Sequence, residues 1–546
     1  MSFVNDILAA AKRRGELALL VEVHGSQERP TSGNAFLSNV ARARAYLQLR
    51  GVALGDRVAI LGPNSANWAA IDLAIIAQGA VCVPLYARQD PRQLAGMLHD
   101  CDARLLIAAD AALAAALEPH LPAGCAVVCD AEVLAIGPGA PGADVEPRCT
   151  AEGPVTIIYT SGTSGEPKGV VLSTQNVDYM LAVTVERIAR MTRSRRSEDR
   201  VFHYLPLCFA GSRIMLLSQL RRGNPLWLST DLNNLQEEMR TAKPHYFLNV
   251  PVLLERIRNG VERKLADKAG APHAVYRRAL EAAAQTPGDK PPGLLDRAAL
   301  LLARRLLFPR IKRLIGENLE FLVCGSAPLS EATQRWFELL GLPIYQVYGL
   351  TETTGIVTID DTDNVTPGRV GYAVPGCELR VSDSGELLCR GPNVFPGYFR
   401  RPEATAEILR DGWFHTGDQA ELDAHGCVKI IGRLKDVIVP ESGHNVAPGP
   451  IEDKLQRAAD GIEQVVVVGH GRPFLTALVT GSIPSSELDV VREQVNAELP
   501  HYQRLRKAYR VPEPFTPDNG LLTANQKLRR NAIEAHYRDA IEEMYR

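Results

Sequence analysis

The stretch Tyr159-Thr-Ser-Gly-Thr-Ser-Gly-Glu-Pro-Lys168-Gly-Val170 leads an apolar strand, Val155 to Tyr159, into a loop of small residues that ends in lysine. Glycines at 162, 165 and 169 permit close backbone approach, and the hydroxyls of Thr160, Ser161, Thr163 and Ser164 add donors around bare backbone N–H groups. Lys168 supplies a point charge. Together these groups suit the grip of a phosphate. A polar hairpin turn is the plain alternative, and a Gly/Ser/Thr loop taken alone favours it. The loop is not the familiar P-loop, which requires Gly-Lys followed by Ser or Thr, whereas Lys168 follows Pro167 and precedes Gly169. A nucleotide-phosphate clamp of another lineage fits the order of the parts better.

Such a loop has to be held by a scaffold, and the chain is long enough to build one. Its 546 residues exceed what a single core usually serves, and 46% of them are apolar. From about residue 35 to 350, short apolar runs ended by turn signals alternate with helical patterns: Arg57–Leu61, Val81–Leu85, Leu105–Ala108, Ala126–Cys129 and Val155–Ile158. That rhythm predicts an α/β fold with buried parallel strands. After Thr366 the strands are punctuated by glycine, as in Glu378–Val381, Glu386–Cys389 and Val428–Ile431, which predicts a small β-rich subdomain. From Lys435 to Arg546 strand and helix alternate again, as in a separate small α+β domain.

Composition narrows the partners. Sixty-one basic and 63 acidic residues give a net charge of −2, so no global field recruits nucleic acid or acidic lipid, and any such contact must be local. The ten cysteines lack paired C-x-x-C spacing, which argues against a disulfide framework or a zinc site and for a reducing, cytoplasmic setting. Cys125 and Cys129 come nearest to pairing and read as small buried hydrophobes. The amino terminus has its acid early and its basic residues late, the reverse of a signal peptide, and reads as a first helix. The apolar run Trp68 to Tyr86 contains Asp72, Gln78, Gly79 and Pro84, which disfavours a membrane span. In the insertion Glu262 to Asn318, the basic amphipathic segment Leu294 to Arg313 has two readings: a helix packed on its own domain with solvated arginines, which is favoured, or a peripheral contact with an anionic membrane. The basic run Arg187 to Arg200 reads as a solvated helix end and loop.

Four later segments follow the first loop in order: Gly325-Ser326-Ala327-Pro328, Tyr348-Gly349-Leu-Thr351-Glu352-Thr-Thr-Gly355, Gly412-Trp-Phe-His-Thr-Gly-Asp418 and Gly432-Arg433-Leu-Lys435-Asp436. Together they resemble the adenylate-forming superfamily of acyl-CoA synthetases, adenylation domains and luciferases, over nearly the whole chain. The resemblance implies a large N-terminal adenylation domain, residues 1–434, made of two α/β subdomains and a small β-rich one, followed by a mobile α+β domain, residues 435–546. It implies that a carboxylate attacks the α-phosphate of ATP, so that handling charge is the catalytic problem. The 160–168 loop would then hold the β and γ phosphates, with Thr160 and Glu352 as hard oxygen ligands to Mg²⁺ and Thr351 beside them. Tyr348 would stack near adenine, Gly325–Pro328 would line its other face, and Asp418 would accept from the ribose hydroxyls with help from Arg433. Taken singly, Glu352 and Asp418 are also consistent with turn acids or caps, Tyr348 with a core aromatic and Arg433 with a surface ion pair.

By the same resemblance Lys527, in Asn519-Gly-Leu-Leu-Thr523-Ala-Asn-Gln-Lys527-Leu-Arg-Arg530, reaches the α-phosphate and the substrate carboxylate, while Arg529 and Arg530 read as surface contacts. Lys435 takes the hinge position about which the small domain swings between adenylating and thioester-forming arrangements. The loop Glu441 to Glu452, with Gly443, His444 and Asn445, resembles the lining of a pantetheine tunnel, which favours a thiol acceptor.

Leu205–Arg213, Val250–Ile257 with the insertion after it, and Asn445–Glu452 resemble the long-chain fatty acyl-CoA synthetase branch. A long- or medium-chain fatty acid is the leading substrate, with Phe209 and Gly211 in the acyl pocket and CoA as acceptor. The chain departs from that branch at Phe209, where many relatives carry histidine, at Ser212, where an acid is frequent, and at Thr174, where histidine often follows Leu-Ser. An aromatic acid therefore stays open, as does an acyl carrier protein in place of CoA, a homodimer, and a catalytically silent acyl-nucleotide binding protein.

Overall fold

The computed structural model describes residues 2–137, 147–161, 167–193, 198–267, 270–283, 293–459, 461–516, 519–523 and 527–546. The chain divides into two compact units, Met1–Glu378 with Cys389–Phe414, and Leu379–Leu388 with His415–Arg546.

The first unit is built on two sheets, as the alternating apolar runs predict. Seven strands follow the order Gly397–Tyr398, Pro167–Ser173, Pro154–Ser161, Val81–Leu85, Arg57–Leu61, Ala103–Ala108 and Ala126–Cys129. From Pro154–Ser161 onward neighbours run parallel. The nine-stranded sheet places Ile344–Tyr348, Leu322–Cys324, Tyr246–Asn249, Val201–His203, Leu226–Ser229 and Ala18–His24 side by side and parallel, with antiparallel strands at both edges. Parallel strands covered by helices are buried on both faces, which is why they read as unbroken apolar runs. The α/β expectation holds.

One buried ion pair ties helices to this core. Arg213, on the helix Ala210–Arg222, makes a two-pronged contact with Asp72 on the helix Ala66–Gln78, and its third nitrogen donates to the Thr156 hydroxyl. Asp72 is fully buried and Arg213 nearly so, so the pair replaces the water each charge gives up. Asp72 is thus a structural charge inside the run Trp68 to Tyr86, which folds as this helix, a left-handed Gly79 cap and the strand Val81–Leu85. Among the described residues no helix is long and apolar enough to cross a membrane. The amino terminus forms the expected helix, Phe3–Arg14, and all ten cysteines are free thiols. Cys125 and Cys129 are half-buried rather than buried: Cys129 ends the last strand of its sheet, and Cys125 precedes that strand and packs against the core from its margin.

The glycine-punctuated region is divided. Residues 389–414 belong to the first unit, whereas 379–388 and 415–434 cluster with the carboxyl-terminal residues. In the second unit Ile462–Val468, Leu475–Gly481 and Leu505–Arg510 form a three-stranded sheet whose core takes Ile451 and Leu455 from the helix Pro448–Ala458 and Leu488, Val491 and Val495 from the helix Ser485–Ala497. The basic run near residue 200 is not simply solvated: the Arg200 guanidinium lies 4.1 Å from the Trp227 ring centre and donates to Glu28 at 2.9 Å.

Candidate active site

The opening loop is the turn of a hairpin. Pro154–Ser161 and Pro167–Ser173 pair antiparallel, with Tyr159 opposite Gly169, Thr160 opposite Lys168 and Ser161 opposite Pro167. Gly162, Thr163, Ser164 and Gly165 lie outside the described residues. Register alone therefore fixes Thr160 and Lys168 as a cross-strand pair at the mouth of the loop. Gly169 is required by packing, since a Cβ there would lie 2.7 Å from the Ile157 side chain.

The hairpin then connects to the Tyr348–Gly355 segment through a residue that sequence reading passed over. Gly397–Tyr398 pairs antiparallel with Val170 and Val171, next to Lys168. The Lys168 ammonium lies 5.3 Å from the centre of the Tyr398 ring, and the Tyr398 hydroxyl donates to Glu352 Oε1 at 2.8 Å. The Phe395 amide donates to the Glu352 carbonyl at 2.8 Å, and the Phe395 ring meets Tyr398 edge-on at 5.0 Å. Lys168, Tyr398 and Glu352 thus form a continuous row of cation, phenol and carboxylate. The Gly397-Tyr398 pair is punctuation in the sequence, and only its pairing with the hairpin makes it part of the site.

Glu352 stands on a single 3₁₀ turn, Thr351–Thr353, that follows the strand Ile344–Tyr348. The turn is locked by the Leu350 amide donating to the Thr353 hydroxyl at 2.9 Å and by the Thr354 hydroxyl donating to the Asn393 carbonyl at 2.8 Å. Gly349 is obligatory here, because a Cβ would sit 2.4 Å from the Gly355 carbonyl oxygen. Thr351 lies on the same turn, and Tyr348 is half-buried at its entrance. The turn 325–328 follows the neighbouring parallel strand Leu322–Cys324. Gly325 is buried against Val347, Ser326 has a left-handed φ of 72°, and Ser326, Ala327 and Pro328 are exposed. Both loops leave the carboxyl ends of adjacent strands, the edge where open α/β sheets bind ligands.

Of the two residues expected at the acyl pocket, Gly211 lies against this same loop. The Gly355 Cα carries a φ of 95°, and a Cβ there would meet Gly211 Cα at 3.3 Å. Phe209 precedes the helix Ala210–Arg222 and packs its ring 5.7 Å from that of Tyr86. Beside it the thiol of Cys208 is pushed up to about 12 by burial, so it stays a neutral, inert thiol.

Seven further residues belong to the second unit. Asp418 is paired in register with Arg433, whose Nε donates to Asp418 Oδ1 at 2.7 Å. The carboxylate is 4% exposed, so its charge is held ready by the guanidinium. Lys435 is exposed on the 3₁₀ turn Leu434–Asp436. Gly443, His444 and Asn445 are exposed, with the His444 ring stacked 4.6 Å from Tyr502. Lys527 is bonded to Thr523: its amide donates to the Thr523 hydroxyl at 3.1 Å while its carbonyl accepts from the Thr523 amide at 2.8 Å. Arg530 is not a surface contact. It makes two bonds to Glu452, at 2.7 and 2.5 Å, and approaches Asp436 at 3.6 Å, so it joins the segment next to Lys435 to the domain's own helix.

The donor set suits a magnesium ion. Thr160 and Glu352 offer hard oxygens, and the Tyr398 bond fixes one oxygen of Glu352, leaving Oε2 for a ligand. Among the described residues there is no cluster of three or more His, Cys, Asp or Glu that could hold a metal ion.

Comparison with known proteins identifies the family. Residues 8–399 match the family model "AMP-binding enzyme", and residues 435–546 match "AMP-binding enzyme C-terminal domain". A long-chain-fatty-acid–CoA ligase of Mycobacterium bovis is 34% identical, covering 93% of this chain and 91% of the relative. A chloroplastic long-chain-fatty-acid–[acyl-carrier-protein] ligase of Arabidopsis thaliana is 27% identical over 72% of this chain and 62% of its own length. The O-succinylbenzoate CoA synthetase of Bacillus subtilis, solved with ATP and a magnesium ion, superposes with a TM-score of 0.75 at 19% identity, covering 97% of this chain and 99% of that one. The hairpin, the Glu352 turn and the two matched family models lead to one conclusion: this chain belongs to the family of AMP-binding, adenylate-forming enzymes.

Proposed function

We propose that this protein is an AMP-forming acid–thiol ligase that activates a long- or medium-chain fatty acid as its adenylate and passes the acyl group to the thiol of CoA. The observation that carries the reading is the row Lys168, Tyr398 and Glu352 at the mouth of the hairpin, in which one tyrosine contacts both a cation and an oriented carboxylate. The 34% identity to a long-chain-fatty-acid–CoA ligase over nearly the whole chain supports the substrate class.

In this reading Lys168 and the 160–165 loop hold the β and γ phosphates, so the leaving pyrophosphate meets positive charge as the α-phosphate is attacked. Thr160 and Glu352 would hold Mg²⁺, which when bound neutralises phosphate charge. Tyr348 and the 325–328 turn bracket the adenine, and Asp418, oriented by Arg433, accepts from the ribose hydroxyls. Lys527 brings its ammonium to the α-phosphate and substrate carboxylate, and Lys435 is the pivot from which residues 435–546 turn towards thioester formation. Gly443, His444 and Asn445 then line the thiol's path, and Phe209 and Gly211 shape the acyl entry.

Likeness to a carrier-protein ligase favours a second acceptor, the phosphopantetheine thiol of an acyl carrier protein. Incubation with ATP, Mg²⁺, an acid series from octanoate to stearate plus benzoate, and either CoA or a holo carrier protein, read by mass spectrometry, separates these. Acyl-CoA from the fatty acids is expected. Acyl-carrier product alone would replace CoA as acceptor, and benzoyl thioester alone would replace the substrate class.

A further inference from the structure

The insertion carries a surface that catalysis does not use. Leu294–Leu302, the wide five-residue turn Ala303–Leu307 and Phe308–Ile315 run on as a nearly continuous helical rod. One side is anchored: Ala303, Phe308, Ile311 and Ile315 are buried in the core of the nine-stranded sheet, and Ala299 is buried too. Residues on the other side repeat at helical spacing, and they are leucines. Leu294 is 85% exposed, Leu301 68% and Leu314 78%, with Leu295, Leu302 and Leu306 also exposed. The packed-helix reading therefore accounts for only half of this segment. Scattered surface leucines need no explanation, but six on one rod of 22 residues form a patch.

The charges on that side are of one sign. Arg297, Arg304, Arg305, Arg310 and Arg313 are exposed among the leucines, and none has an ion-pair partner among the described residues. The acid of the rod, Asp296, is held by Arg278 at 2.5 Å. The wide turn contributes directly: Pro309 has no N–H to return to the Arg305 carbonyl, and the extra residue in the turn leaves Arg304, Arg305 and Leu306 exposed in succession.

We infer that the exposed side of residues 294–314 docks on an anionic lipid surface, the leucines entering the headgroup boundary and the arginines meeting lipid phosphates. Two complementarities carry this. Apolar side chains without a protein partner gain by leaving water, and guanidinium groups among them match a plane of phosphates bidentately. A second copy of this chain fits the face poorly, because an isologous contact would set the same unpaired arginines against one another. A chain of net charge −2 has no global attraction to such a surface, so the contact is local to this rod. The inference does not depend on the proposed reaction, since docking is measured without ATP, acid or thiol.

The test is vesicle flotation with the full chain, comparing phosphatidylcholine vesicles with vesicles containing equal phosphatidylglycerol, together with sedimentation equilibrium of the free protein. The wild type is expected to float with the anionic vesicles and to be released by high salt. Leu294→Ser/Leu301→Ser/Leu314→Ser and, separately, Arg304→Glu/Arg305→Glu/Arg313→Glu should each lower bound protein about ten-fold or more. All six positions are exposed, so the melting temperature should stay near wild type in both. Three results would overturn the inference: equal binding to neutral and anionic vesicles, undiminished binding by both variants, or a wild-type dimer that the leucine variant converts to monomer.

Discussion

The phenol of Tyr398 donates a 2.8 Å hydrogen bond to Oε1 of Glu352. Its ring meanwhile faces the Lys168 ammonium, so one side chain orients the carboxylate proposed to hold Mg²⁺ and backs the cation proposed to hold phosphate. Tyr398→Phe keeps the ring and removes the bond. A hydrogen bond to a charged group is worth about 1.5–3 kcal/mol, so adenylation should fall roughly ten- to hundred-fold and the Mg²⁺ needed for half-maximal rate should rise, with little change in melting temperature. An unaltered Mg²⁺ titration would remove Tyr398 from the site.

Lys527→Ala should cripple adenylation while largely sparing thioester formation from supplied acyl adenylate, since the lysine is proposed to act only on the α-phosphate and the carboxylate. The two half-reactions are measured separately. Equal loss in both would refute its assignment.

How much of this was legible beforehand depended on sequence distance. The parallel strands were readable because full burial leaves unbroken apolar runs, as in Val81–Leu85. Lys527 was singled out by resemblance, through its spacing from Thr523, and the structure shows those two residues bonded to each other across that spacing. Arg213 and Asp72 lie 141 residues apart and Tyr398 and Glu352 lie 46 apart, so neither partner marks the other in the chain. Arg530 was misread for the same reason: in a basic stretch it resembles a solvated arginine, and only its pairing with Glu452, 78 residues away, takes it out of the surface.

That pairing predicts a stability effect confined to the second unit. Arg530 and Glu452 are largely shielded, and Glu452 also accepts from the Val467 amide at 2.7 Å. Arg530→Ala leaves a buried carboxylate uncompensated and should cost about 3 kcal/mol. Differential scanning calorimetry should register this as an earlier transition. A melting curve like that of the wild type would show the pair to be dispensable.

Asp360 predicts a pH dependence. Its Oδ2 accepts from the Gln346 amide at 2.7 Å, its Oδ1 has no hydrogen-bond partner among the described residues, and burial raises its pKa to about 7 despite Arg187 nearby. The folded state then holds a proton that the unfolded chain releases near pH 4, so this group's contribution to stability is largest at low pH and falls as pH rises towards 7. Asp360→Asn should flatten that dependence and stabilise the protein by roughly 2 kcal/mol at pH 8. Denaturant unfolding at pH 5.5 and 8 checks the sign; a larger loss with pH in the variant would contradict it.

Acid-dependent exchange of labelled pyrophosphate into ATP tests the central claim most directly, because it reports reversible adenylate formation whatever thiol follows. A panel of fatty acids in the presence of Mg²⁺ should support exchange, with long or medium chains ahead of aromatic acids, and Lys527→Ala should abolish it. Absence of exchange with every acid, from protein that still binds ATP, would contradict the ligase reading and leave an acyl-nucleotide binding protein in its place.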